Sequence, residues 1–169
     1  LPLGVSTAQA QQLNKVAPEV KKQAKVDYHG EDMEGKDGPL AAVGLDMAML
    51  YHEYQAHKHA KTAGSFESNS MLGPSSDDRF ISPIRGKYVL IDATALESGA
   101  ALEADLREIE AKEVTRYKHM VSALVPIDSI PALAELSSMR TARAPRAMKQ
   151  RHPDGSMNSI AETSSSALM

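Results

Sequence analysis

The sequence predicts an α+β fold, and three observations carry that expectation. Residues 87–93 (Lys-Tyr-Val-Leu-Ile-Asp-Ala) are a β-branched, apolar run of strand length. Leu102, Leu106 and Ile109 then fall on one helical stripe, behind a serine able to cap the helix. Beyond them, strand-like and helix-like stretches alternate as far as Ala144. The chain has 169 residues, a formal net charge of -3, 42% hydrophobic residues and only 4% aromatic ones, so its core has to be built from Leu, Ile, Val, Met and Ala. With no cysteine there is no disulfide framework, no thiol nucleophile and no Cys-type zinc or iron–sulfur site. The balanced charge excludes a globally basic nucleic-acid binder. No apolar run approaches the ~20 residues that span a bilayer.

At the start of the chain, Ala8-Gln9-Ala10 has the small-x-small form that signal peptidase accepts. Residues 1–10 are read either as a signal-peptide remnant, with Leu1 to Val5 as the stub of its apolar region, or as the opening of the helix that follows. Residues 11–62 form a helical segment. Its first half is rich in Gln, Ala and Lys, with Leu13, Val16 and Val20 at helical spacing and a break or restart at Pro18. Residues 27–38 mix acids with glycines and read as a solvated loop. Pro39 suits a first helical turn. Leu40, Val43, Met47, Leu50, Tyr51 and Tyr54 lie on one face of a helix running to His59 or Ala60. Residues 63–85 are dominated by Gly, Ser, Asn and Pro and read as a flexible linker.

Residues 86–145 carry the main fold. After the strand at 87–93, Ser98 caps a helix whose wet face holds Glu103, Asp105, Arg107, Glu108 and Glu110. Glu113 to Lys118 alternates and His119 to Val125 is more apolar, which gives two further strands with little between them. Ile127, Ile130, Leu133 and Leu136 form a second helical stripe, with Asp128 or Ser129 as its cap. Met139 to Ala144 is a short last strand before Pro145. The order strand–helix–strand–strand–helix–strand is the ferredoxin-like βαββαβ arrangement, an antiparallel sheet with two helices over one face. A unit of ~60 residues buries only about 60% of its unfolded surface. The helix at 39–60 is therefore expected to add core or to cover a sheet edge. Residues 146–169 are polar and Ser-rich and read as a tail.

Few residues are arranged for chemistry. His52-Glu53-Tyr54-Gln55-Ala56-His57-Lys58-His59 is the densest set of ligand-capable side chains. A zinc-protease helix needs histidines four apart on one face. His52 and His57 are five apart and point about 140° away from each other on an ideal helix. His52 and His59 share a face but stand two turns apart. They read as a polar helix face with weak metal-binding capacity, and no metal or other cofactor is expected. There is no Gly-x-Ser-x-Gly elbow and no phosphate-cradling glycine loop. Arg140, Arg143, Arg146, Lys149 and Arg151 form a basic run without an acid. Lacking the interleaved aromatics of a nucleic-acid surface, it reads as a solvated edge strand and linker, or as an exposed, protease-sensitive segment.

Four stretches carry a resemblance: Tyr88-Val-Leu-Ile-Asp-Ala, Gly99-Ala-Ala-Leu-Glu-Ala-Asp-Leu, Val121-Ser-Ala-Leu-Val-Pro-Ile-Asp-Ser-Ile-Pro-Ala-Leu-Ala-Glu-Leu and Met139-Arg-Thr-Ala-Arg-Ala-Pro. Over about residues 38–150 the chain resembles the N-terminal, propeptide-like region of secreted bacterial subtilisin-like serine peptidases. The resemblance implies a ferredoxin-like propeptide that assists folding of a protease domain, or inhibits it, in cis or in trans. It also implies a secreted, periplasmic or cell-surface location. The catalytic Asp, His and Ser of such families lie in a separate downstream domain, and neither the His-Gly-Thr nor the Gly-Thr-Ser-x-Ala type of motif is present here. The chain is accordingly expected to be non-enzymatic. Inhibitory prodomains lay the segment after their last strand along the protease cleft, which by position maps onto Ala142, Arg143, Ala144, Pro145, Arg146 and Ala147. Pro145 and the two arginines depart from the apolar tail typical of that segment. The alternative is a structural or adhesive interaction module of a bacterial envelope or surface protein.

Overall fold

The computed structural model describes residues 16–60, 64–74, 79–148, 150–151 and 157–158; the Ala8-Gln9-Ala10 stretch and most of the polar tail lie outside this set. Pro18 begins helix α1 (Pro18–His29), where a proline forfeits no helical bond. The helix stops at Gly30, whose φ of 88° suits glycine and whose N–H donates to Val26 O. Asp27, Tyr28 and His29, expected in a solvated loop, therefore belong to the last turn of α1. The acidic stretch beyond folds back on the helix end. Leu40 N–H donates to Asp27 O at 2.7 Å and Gly38 N–H to Tyr28 O at 3.1 Å. Position 38 needs glycine, because a Cβ there would stand 2.2 Å from Asp27 O.

A 3-10 turn (Ala41–Val43) leads into helix α2 (Gly44–His59). Met47, Ala48, Met49 and Leu50 are buried in succession, which a single amphipathic stripe does not produce. Helix α2 packs against α1 and also against the last strand and second covering helix of the sheet. Within the 63–85 stretch expected as a flexible linker, the described residues 64–74 and 79–85 include buried and paired positions. Ser68, Ser70 and Leu72 are buried. Ser68 Oγ donates to Glu53 Oε1 at 2.6 Å, and Asn69 N–H to Glu53 Oε2 at 2.8 Å. Buried hydroxyls satisfied by a helix carboxylate let a polar sequence pack. Short strands β1 (Phe80–Ile81) and β2 (Ile84–Arg85) complete the stretch.

Strand β3 (Tyr88–Ala95) is the centre of the sheet. It is followed by α3 (Gly99–Glu108), β4 (Lys112–Tyr117), β5 (Met120–Pro126), a 3-10 turn (Ile127–Ser129), α4 (Ile130–Ala134) and β6 (Met139–Arg143). Four of these strands lie side by side in the order β4-β5-β3-β6, with every neighbouring pair antiparallel. Strand β2 pairs with the first residues of β3, on the same edge as β6. Val89, Ile91, Ala93, Val121, Ala123 and Val125 point to one face and are buried. They join Leu102, Leu106, Ile127, Ile130, Leu133, Met47 and Leu50 in one core. The fold is thus α+β, and the N-terminal helices share the core of the sheet.

Ser98 caps α3 as its sequence suggests, its Oγ accepting from Ala101 N–H at 3.3 Å. Neither Asp128 nor Ser129 caps α4 through its side chain. Asp128 instead accepts from Gln55 Nε2 at 2.6 Å and from Lys58 Nζ at 2.9 Å, tying the end of α2 to the turn before α4. Beyond β6, β7 (Ala147–Met148) pairs with β1, and β8 (Gln150–Arg151) with β9 (Met157–Asn158).

Candidate functional site

The three histidines of α2 do not converge. His52 is half-buried, and its Nε2 lies 2.5 Å from Asp27 Oδ2, so it ties α2 to α1. His57 meets the Phe66 ring edge-on at 5.5 Å between centroids. His59 is exposed at the helix end. Helical geometry alone accounts for their divergence. No group of three or more metal-capable side chains occurs among the described residues.

The six residues expected to line a partner's cleft are not a free extension. Ala142 is buried in β6 opposite Ala93, and Arg143 is exposed opposite Asp92. Ala147 stands opposite Ile81 in the β1–β7 pair. Between them, Ala144, Pro145 and Arg146 are half-buried. The Arg146 guanidinium sits 5.4 Å above the Phe80 ring, and its Nη2 reaches Gly73 O at 3.5 Å. Gly73 and Phe80, brought onto the body from a distant part of the chain, create this seat, which the local sequence does not announce. Asp46, in the first turn of α2, lies in the field of the same guanidinium. Burial pushes its carboxyl above the ordinary value, against the pull of Arg146.

The second face of the sheet carries apolar side chains outside the core. Strand pleating turns Tyr88, Leu90, Asp92 and Thr94 of β3 away from the core. Register places Leu90 opposite Leu124, Asp92 opposite Ser122 and Thr94 opposite Met120. Tyr117 of the edge strand β4 stands opposite Met120. Tyr117 is 57% exposed and Met120 40%. The cross-strand groups are already ordered: Ser122 Oγ donates to Asp92 Oδ1 at 2.6 Å, and Lys112 Nζ lies 4.8 Å from the Tyr88 ring centroid. Leu90 and Leu124 thus form a half-buried apolar centre with aromatic, Met and polar groups around it. The signal was present in the sequence. Tyr88-Val-Leu-Ile is apolar at consecutive positions, so one of its two faces had to carry apolar groups away from the core.

Charge on the helical side is locally satisfied. Glu103 accepts from Arg107 Nη2 and Arg116 Nε, each at 2.8 Å, and these bonds hold its carboxyl below the usual range. Among the described residues, no helix is long and apolar enough to cross a membrane. Comparison with family models, with curated proteins and with solved structures found no match.

Proposed function

We propose that the chain is a non-catalytic, exported, propeptide-like module of bacterial origin that works by docking on a subtilisin-like serine protease. The observation that carries the reading is the sheet itself. One face is buried by helices, while the other presents Leu90, Leu124, Met120 and Tyr117 half-exposed or exposed. The strand order β4-β5-β3-β6 supports a ferredoxin-like assignment, in which the split βαβ unit places the first and last strands of the motif side by side. In this reading the segment beyond β6, which in the free chain is seated on β1, adds as a strand to the partner once it is released.

The test is a mixing experiment with a subtilisin-type protease, read by inhibition of peptide hydrolysis and by isolation of the complex. Leu124→Glu places a charge at the centre of the open face without touching the core. It is expected to weaken the complex by about 2 kcal/mol or more, roughly thirtyfold in Kd, with thermal stability retained. If neither complex nor inhibition forms with the unaltered chain, the reading fails. Self-association abolished by the same substitution would instead identify a structural or adhesive assembly module.

A further inference from the structure

We infer that residues 145–148, beyond the core contact of Ala144, form a strap, latched by Arg146, which opens as a unit ahead of the rest of the fold. Pro145 has no N–H to give to a ladder, so the pairing of β6 does not continue into β7. Beyond it the chain is held by incomplete contacts. The β1–β7 ladder is two residue pairs long. Arg146 Nη2 reaches Gly73 O only at 3.5 Å, past the usual range for such a bond. Arg146 Nε is buried with no hydrogen-bond partner, the one side-chain nitrogen or oxygen in that state among the described residues. Among the described residues, the cation over the Phe80 ring and the partly buried Asp46 carboxyl in its field add to this hold. Just upstream the situation is opposite: Ala142 is buried and paired with β3 at the centre of the sheet. Stability therefore drops sharply between Arg143 and Ala147, and short ladders with few apolar contacts are the first to open.

Opening frees an extended run carrying Arg146 and uncovers the seat formed by Phe80 and Gly73 beside α2. That a protease cleft receives the freed run rests on the reading above; the opening itself does not. Hydrogen exchange on the full chain tests the opening without any partner. The amides of Ala147 and Met148 are expected to exchange about a hundredfold faster than those of Ile91 and Ala93. Equal protection would overturn the strap.

The absence of cysteine allows a clean lock. Ile81→Cys with Ala147→Cys joins two residues that face each other across the β1–β7 pair. Oxidation is expected to slow tryptic cleavage after Arg143 and Arg146 about tenfold, with reduction restoring it; an unchanged rate would overturn the strap. In the protease assay, the oxidised form is expected to inhibit about tenfold less well than the reduced form. Equal inhibition by the two forms would show that the strap does not deliver the segment. No inhibition by either form defeats the protease reading alone, since exchange and tryptic cleavage have then already decided the opening. Matching circular dichroism of the two forms confirms that the double variant folds.

Discussion

Replacing Gly99 by alanine sets local helix preference against a long-range contact. Gly99 is the first residue of α3 and is buried. By propensity alone, alanine in a helix gains up to about 1 kcal/mol over glycine. Here its Cβ would stand 2.1 Å from the backbone oxygen of Lys118 and 3.0 Å from Arg116 Cδ. Carbon–oxygen contacts settle at about 3.3 Å or more, so relief demands roughly 1 Å of movement between α3 and the β4–β5 turn. That turn is not free to give. Lys118 already sits at a φ of 55°, and His119 O accepts from Ala95 N–H at 2.7 Å. Arg116, next to the turn, is held by Glu103 of α3. A Cβ this close to a backbone atom belongs at the upper end of overpacking costs, about 2–3 kcal/mol, which outweighs the propensity gain of about 1 kcal/mol and leaves a net loss of about 1–2 kcal/mol. With a urea slope of about 2 kcal/mol/M, the midpoint should fall by roughly 0.5–1 M. The assay is urea unfolding followed by far-UV circular dichroism on both chains. A midpoint that holds or rises would show that the turn yields cheaply and that the steric argument is wrong.

Two further outcomes follow from single side chains. Ser98→Ala removes the oxygen that caps α3 and should lower stability by about 1 kcal/mol in the same urea assay. Burial alone would raise the Asp128 carboxyl, but hydrogen bonds from Lys58 and Gln55 prevail and hold it below its ordinary value. An acid depressed in the folded state contributes stability above its unfolded pKa of about 4 and loses it as pH falls through the lowered folded value. Both partners are roughly half-exposed, so the effect is small. Asp128→Asn should therefore lower the urea midpoint slightly at neutral pH and flatten its decline below about pH 4. An acid limb identical in the two chains would exclude Asp128 from acid unfolding.

Legibility differed by residue. The apolar runs of β3 and β5, the Leu102 and Leu106 stripe and the Ser98 cap are local patterns, and each occurs in the structure where the pattern puts it. The alternation at 113–118, by contrast, gives a strand exposed along almost its whole length. Asp128 reads as a cap because a short acid at a helix start looks like one whatever lies opposite; Lys58, far away in the chain, takes it instead. The stretch 64–74 reads as a linker because hydropathy counts serine as wet. Ser68 and Ser70 are buried only because Glu53 and each other satisfy their hydroxyls.

By itself, then, the sequence determined the α+β class, the strands and helices between Tyr88 and Arg143, and a core without cysteine or abundant aromatics. These follow from periodicity and composition, which act over a few residues. Tertiary structure alone decided that α1 joins that core, that Gly38 and Gly99 must lack a Cβ, and that Arg146 folds onto Phe80 and Gly73. Each depends on a backbone oxygen, a ring or a carboxylate brought in from a distant part of the chain. No local pattern encodes where such a group will arrive.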